Sequence, residues 1–176
     1  MTFAKGVSSG YIPLGGVVVS KRVAQVLIEQ GGEFNHGYTY SGHPTACAVA
    51  LANIEIIERE DLVNQVRYET GPNLAQKYAE LAKHPLVGGA ESFGLVAGFV
   101  LMKDKEKHVH FDESLEVGMM CRGHCFANGL IMRAVGDRMI IAPPLITTKA
   151  QIDEMMGLIY LCLDATLADL KKLGVM

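Results

Sequence analysis

Lys5 is a candidate for covalent chemistry because of the residues on either side of it. Residues 2–4 have the pattern of a strand end, and residues 6–16 form a glycine-rich loop. A lysine amine forms an imine with an aldehyde once the amine has lost its proton. Most lysines are instead solvated surface charges, so Lys5 by itself leaves both interpretations open. The order Ala-Lys-Gly also lacks the upstream glycine and the following hydroxyl residue of a P-loop.

A second stretch with chemical potential runs from His36 to Pro44. It places hydroxyl side chains and backbone amides directly before a predicted helix. Amide donors and the helix dipole both favour an anion at such a position, which suits a phosphate. A capped loop whose hydroxyls bond to the loop itself is the alternative. His36 and His43 lie too far in sequence from other ligands to predict a metal site.

Arg133 stands in an apolar run, residues 130–134, that predicts a strand. A guanidinium on such a strand needs a partner, and two-pronged binding of a carboxylate is one use for it. A structural salt bridge, or a place at an exposed sheet edge, is the alternative. Asp137 follows closely and is expected either to pair with Arg133 or Arg138, or to form the turn between two strands.

Helices and strands predicted from the pattern place these residues. The first part has a buried strand at residues 17–19, a helix capped by Ser20 and ended by Gly31–Gly32, and a helix that begins at Pro44. A helical region follows over residues 61–84, with a break at Gly71–Pro72. The rest has a strand at 95–102, a helix over 113–128, strands at 130–134 and 139–142 around a Gly136–Asp137 turn, and a final helix capped by Thr147 or Thr148. This order predicts an α/β part followed by an α+β module.

Composition narrows the classes of function. The 176 residues carry a formal net charge of -3 with both signs mixed along the chain, which argues against a nucleic-acid partner. No apolar run approaches the roughly 20 residues that a membrane span requires. The four cysteines lack the spacing of a disulfide framework or a metal site, so we expect reduced thiols, no metal and a cytoplasmic protein.

Three segments together resemble the class III, fold-type I aminotransferases, which depend on pyridoxal phosphate. They are Thr-Phe-Ala-Lys-Gly-x-x-Ser-Gly-Tyr-x-Pro-Leu-Gly-Gly from residue 2, His-Gly-Tyr-Thr-Tyr-Ser-Gly-His-Pro from residue 36, and Leu-Ile-Met-Arg with Ala-Pro-Pro-Leu from residue 130. The segments occur in the family's order and cover essentially the whole chain. Within the family, the similarity is greatest to ω-aminotransferases that move amino groups from putrescine or related amines to pyruvate.

The resemblance implies a role for each matching position. Lys5 would hold pyridoxal phosphate as a lysine aldimine and move the proton during transfer from an amine or diamine to a 2-oxo acid. Thr39, with the backbone of Tyr38, would contact the phosphate of the cofactor held by the partner subunit. Arg133 would bind the carboxylate of the 2-oxo acid, and Tyr11 would line the pocket. The resemblance also implies a homodimer or higher homo-oligomer.

The resemblance further implies that residues 1–70 are the end of a large cofactor-binding domain and that residues 71–176 form a small α+β domain. The family's aspartate for the pyridine nitrogen and its upstream phosphate loop would precede Met1. We therefore expect a carboxy-terminal portion that is active only with the preceding portion, which another chain would supply. A non-catalytic fragment with a dimerising role, or a racemase or decarboxylase of the same class, are the alternatives.

Overall fold

A computed structural model describes all residues, 1–176, and its internal contacts divide the chain into two units. The first unit is Met1–Asp61 and the second is Leu62–Met176. Both units mix helices with strands, which confirms that the chain combines the two kinds of element, as expected from the sequence. The predicted domain division at residues 70 and 71 lies inside the second unit and stays a prediction.

The first unit contains one antiparallel strand pair and two helices. Its elements are β1 (Thr2–Ala4), a single 3-10 turn (Lys5–Ser8), β2 (Gly15–Val17), α1 (Lys21–Gln30) and α2 (Pro44–Arg59). The Ser20 hydroxyl caps α1 by accepting from the Val23 amide at 3.5 Å, as predicted. Pro44 occupies the first turn of α2, where its missing N–H leaves no bond unmade.

The prediction of a buried strand at residues 17–19 is wrong. Only Val17 belongs to a strand, and its side chain is 67% exposed. β2 pairs with β1 alone, so no further strand or packed helix covers its faces within this unit. Ser8, Ala46 and Ala50 are the buried residues of the first unit. A β-branched run favours an extended backbone, but burial needs neighbouring elements that the run itself does not encode.

The second unit is a four-stranded antiparallel sheet with helices packed on one face. Its elements are α3 (Leu62–Gln65), a π-helical turn (Val66–Thr70), α4 (Gly71–Leu81), β3 (Val87–Phe93), β4 (Val96–Leu101), α5 (Val117–Ala127), β5 (Arg133–Val135), β6 (Arg138–Ile141) and α6 (Lys149–Lys172). The strand order is β3-β4-β6-β5, which makes β5 an edge strand. The helix register changes directly before Gly71–Pro72, where a break was predicted, because Pro72 has no N–H to donate.

Strand alternation and helix periodicity build the core of the second unit. Ala97, Phe99 and Leu101 of β4 are buried, whereas Val96 faces outward. Helix α6 presents an apolar stripe to this core. Met155 and Leu167 of the stripe are partly buried, and its fully buried members are Ile152, Met156, Ile159, Leu163 and Leu170. Thr148 caps this helix through a reciprocal capping box with Gln151.

Strand β3 was not predicted from the sequence. Its residues, Val-Gly-Gly-Ala-Glu-Ser-Phe, include two adjacent glycines and break the apolar–polar alternation. The strand forms because β4 pairs with it along its length, from Phe93↔Val96 to Val87↔Leu101. Pairing with β4 therefore stabilises the extended conformation of β3, which the local sequence does not favour by itself.

The β5–β6 hairpin is fixed against the amino terminus of α5. The Asp137 carboxylate accepts from the Gly118 amide at 3.1 Å, and neither Arg133 nor Arg138 pairs with Asp137. Gly136 in the turn has φ +54, which favours glycine. A Cβ at Gly118 would lie 2.0 Å from the Gly136 carbonyl oxygen. Helix and hairpin are thus in backbone contact, which sets the position of Arg133.

Replacing Gly118 tests this backbone contact. We expect Gly118→Ala to lower the free energy of unfolding by about 1–3 kcal/mol, because the added methyl group forces the helix away from the hairpin. Gly123→Ala is the matched control, since a Cβ there meets no atom within 4 Å. This control should raise the free energy of unfolding by about 0.5–1 kcal/mol. Equal effects in urea unfolding would contradict the contact.

The cysteines are free thiols in two environments. Cys47 is exposed, while Cys121, Cys125 and Cys162 are buried in the core of the second unit. Burial raises the pKa of the Cys162 thiol, and contact with the Cys121 thiol followed by burial raises the pKa of Cys125. No three side chains of the His, Cys, Asp or Glu types are arranged to hold a metal ion. None of the helices is both long and apolar enough to cross a membrane.

Thiol counting checks this placement. We expect a disulfide reagent such as Ellman's to modify Cys47 rapidly in the native chain, and the other three thiols only after unfolding, since the reagent does not reach a buried thiol. Cys47→Ser should abolish the rapid phase. Rapid reaction of more than one thiol in the folded chain would contradict the buried cluster.

Candidate active site

Lys5 occupies an unusual backbone position. It begins the 3-10 turn that follows β1 and has φ +53, in the left-handed region that residues with a side chain rarely adopt. The side chain is exposed to solvent. Backbone strain of this kind costs free energy and tends to persist at sites where the surrounding structure enforces it. The amine of Lys5 is therefore accessible and rests on a constrained backbone.

A surface depression of about 640 Å³ lies beside Lys5. Its volume is within the range of small-molecule sites. Tyr11, which was expected to line the pocket, is 87% exposed and is not among the lining residues. The residues that line the depression come from the turn and the loop after it: Ala4, Lys5, Ser8, Gly10, Ile12, Pro13, Leu14 and Gly15.

Hydrogen bonds hold the turn after Lys5 from within and from α2. The buried Ser8 hydroxyl donates to the Ile12 carbonyl at 2.6 Å. The Asn53 side-chain amide of α2 donates to the carbonyls of Gly6 and Val7 at 2.9 and 3.1 Å. Asn53 was missed from the sequence. Its one signal is the presence of asparagine inside a helix, where it is a poor helix former.

The loop before α2 contains both bonded residues and Thr39, whose hydroxyl and amide are free of internal hydrogen bonds. The Tyr38 amide donates to the Ser41 hydroxyl at 2.9 Å, so this amide is already used. The His43 ring accepts from the Ala46 amide at 3.4 Å and caps α2. Thr39 is exposed and makes no hydrogen bond to another residue. No hydrogen bond joins Lys5 to Tyr38 or Thr39.

Arg133 begins the edge strand β5 in the second unit. Its side chain is exposed and has no ion-pair or hydrogen-bond partner. Arg133 pairs across the hairpin with Ile140, and Val135 pairs with Arg138. Strand alternation puts all four residues on the same face of the sheet, opposite the buried Met139. Arg133 therefore lies at an exposed sheet edge, which was one of the two positions expected from the sequence. Its guanidinium is available to an anion.

The three groups have complementary chemistry. An accessible amine forms an imine with an aldehyde, a free hydroxyl and amide bind a phosphate oxygen, and an unpaired guanidinium binds a carboxylate. Lys5 and Thr39 belong to the first unit and Arg133 to the second. Each group therefore lies within its own unit, and each by itself is chemically able to bind one of these three kinds of ligand group.

Comparison with known proteins identifies relatives along nearly the whole chain. The model of the class-III aminotransferase family matches residues 1–163. A putrescine–pyruvate aminotransferase of Pseudomonas aeruginosa is 55% identical over 168 residues, which are 96% of this chain and 36% of that protein. A diaminobutyrate–2-oxoglutarate transaminase of Halomonas elongata is 43% identical over 163 residues, 89% of this chain and 34% of that protein. The chain thus spans about a third of the length of these relatives.

Solved structures agree with this assignment. A transaminase from the marine bacterium Virgibacillus superposes with a TM-score of 0.92 at 39% identity, over 97% of this chain and 40% of that chain. The PMP-bound aminotransferase from Vibrio fluvialis superposes with a TM-score of 0.90 at 33% identity, over 95% of this chain and 37% of that chain. Because the family model matches well over half of its residues, this chain belongs to the class III aminotransferases, a family that depends on pyridoxal phosphate.

Proposed function

We propose that this chain carries the lysine of a transaminase site, which moves an amino group from an amine or diamine to pyruvate or another 2-oxo acid. The observation that carries the proposal is the position of Lys5. Its exposed amine stands on a strained turn at the edge of a depression of about 640 Å³. Family membership alone would not locate the reacting amine.

The residues present fit pyridoxal phosphate. The depression beside Lys5 has the volume for a small cofactor, and the exposed Thr39 has a hydroxyl and an amide without internal partners. Pyridoxal phosphate, when bound, supplies an electron sink for the substrate's reacting carbon. The role of Lys5 is to bind the cofactor covalently and then to move a proton at that carbon. Thr39 would bind a phosphate oxygen of the cofactor held by the partner subunit, and the Tyr38 amide would join it only by leaving Ser41.

Arg133 is proposed to bind the carboxylate of the 2-oxo acid. Its guanidinium has no partner in the chain, so no existing ion pair has to be broken. The hairpin that carries Arg133 is joined to the amino terminus of α5 by the Asp137–Gly118 bond, which fixes the backbone from which the side chain extends. A diamine has no carboxylate, and for such a donor Arg133 has no ligand to bind.

The relatives support a diamine as donor. The Pseudomonas relative is named for putrescine and pyruvate, and the Halomonas relative for diaminobutyrate and 2-oxoglutarate. We propose putrescine or a similar diamine as donor and pyruvate as acceptor, because the first of these relatives shares more than half of its aligned residues with this chain.

We also propose that the site is completed by residues outside this chain segment. The first unit buries few residues and leaves large apolar side chains exposed, including Ile28, Phe34 and Leu51. Exposed apolar surface of this extent favours association with further chain or with a second copy. Residues 1–70 are then the end of a cofactor-binding domain, residues 71–176 a smaller domain, and the assembly a homodimer or higher homo-oligomer.

Reductive trapping tests the role of Lys5. With pyridoxal phosphate and borohydride, we expect the label to concentrate on Lys5, because its amine adjoins the depression that fits the cofactor. Peptide mapping by mass spectrometry gives the position and the stoichiometry. Lys5→Ala should remove the main label, whereas Lys21→Ala, an exposed lysine of the same unit, should leave it unchanged. Label spread evenly over the lysines would contradict the proposal.

Substitution of Arg133 tests carboxylate binding. In an active preparation, Arg133→Gln should raise the KM for pyruvate about 10- to 100-fold, since a charge-assisted bond to a carboxylate contributes roughly 1.5–3 kcal/mol. The half-reaction with putrescine should change little. Arg67→Gln is the control, because Arg67 is an exposed guanidinium whose contact is the Tyr68 ring. An unchanged KM for pyruvate would remove Arg133 from the site.

A further inference from the structure

The turn that carries Lys5 is held by short-range bonds, including the bond from the Ser8 hydroxyl to the Ile12 carbonyl, and by Asn53 of α2. Its flanks are the paired strands β1 and β2, with Ala4 opposite Gly15. Within the turn the bonds are local: the Ser9 amide donates to the Gly6 carbonyl at 3.2 Å, and the Tyr11 amide donates to the Ser8 carbonyl at 3.1 Å. These short-range bonds close the turn on itself and do not connect it to another helix or strand.

The backbone of this turn also carries strain at both ends. Lys5 has φ +53 and Ser9 has φ +51, and neither is glycine. Each residue with a side chain in this region costs on the order of 1–2 kcal/mol relative to an ordinary conformation. Some contact from outside the turn has to offset this cost, otherwise the backbone at Lys5 would relax.

Asn53 makes that contact. Its amide nitrogen donates to two successive carbonyls, Gly6 at 2.9 Å and Val7 at 3.1 Å, across more than forty residues of sequence. A side-chain amide has two N–H donors, so one asparagine satisfies both acceptors without moving. Both carbonyls follow Lys5 directly, and their orientation determines the backbone conformation of the turn.

Asn53 also connects the turn to the second candidate segment. It lies on α2, which begins at Pro44, directly after the loop that carries Thr39. A helix transmits position along its length because its backbone is internally bonded. The bond from Asn53 therefore ties the Lys5 turn to the same helix whose amino terminus the Thr39 loop enters.

We propose that Asn53 is a positioning residue for Lys5: by donating to the Gly6 and Val7 carbonyls it holds the Lys5 turn on α2 and thereby directs the amine. This assignment rests on the proposed function, in which Lys5 is the reacting amine. Asn53 itself touches neither substrate nor cofactor in this proposal and acts through the backbone of the turn.

Three variants of Asn53 separate its donor from its shape. Asn53→Leu keeps similar volume and removes the donor. Asn53→Asp keeps the shape but places a carboxylate, which cannot donate, beside the Gly6 and Val7 carbonyl oxygens. Asn53→Gln keeps the amide donor on a side chain that is one methylene longer. Glu58→Leu places the same leucine at an exposed position of α2 and is the matched control.

The first readout needs no cofactor. Hydrogen exchange of the peptide spanning residues 5–12, measured on the full chain, should speed up about tenfold in Asn53→Leu and Asn53→Asp, because two hydrogen bonds to the turn are lost. Asn53→Gln should restore part of the protection, and Glu58→Leu should leave it unchanged. Unchanged exchange in Asn53→Leu would show that Asn53 does not hold the turn and would overturn the proposal.

The second readout is the borohydride-trapped pyridoxal phosphate label on Lys5, followed against pH. Asn53→Leu should lower the yield about tenfold and shift the pH midpoint, with partial rescue in Asn53→Gln. Faster exchange with an unchanged yield and midpoint would make Asn53 a purely structural residue and would overturn the proposal. Absence of the label in the unmodified chain would refute the proposed function and the role of Asn53 with it, while the exchange result would still report the contact.

Discussion

The left-handed backbone at Lys5 is the constraint on which the rest of the candidate site depends. An ordinary residue leaves this conformation unless its neighbours enforce it. Here the neighbours are the β1–β2 pair on either side and the Asn53 amide on the two following carbonyls. The direction of the amine is therefore a property of the folded unit, because strands, turn and α2 must all be present before Lys5 is held.

The two units obtain their stability in different ways. The second has a continuous core in which the sheet, α4, α5 and α6 bury their apolar stripes against one another. The first relies on caps, turn bonds and one strand pair, and it buries three residues. A strand pair with so little packing is marginal by itself. The cofactor-binding candidates thus lie on the less self-sufficient unit, and Arg133 lies on the well-packed one.

Sequence patterns located most helices because their signals are local. Ser20, Pro44 and Thr148 each mark a helix start through a contact made within one turn, and all three appear as predicted. The three sequence segments that resemble the class III aminotransferases likewise identified the family. Burial of residues 17–19 was mispredicted because burial depends on covering elements that the run does not encode. Strand β3 was missed because its glycines break the apolar–polar alternation, although its partner β4 follows it directly. Asn53 was missed because its acceptors are nearly fifty residues away, and no spacing rule connects them.

The most direct test of the account is a crystal structure of the protein with pyridoxal phosphate bound. The account predicts continuous electron density from the Lys5 Nζ atom to the cofactor, with the Asn53 amide still on the Gly6 and Val7 carbonyls. Density joining the cofactor to another lysine, or a cofactor bound away from an ordered Lys5 turn, would contradict it.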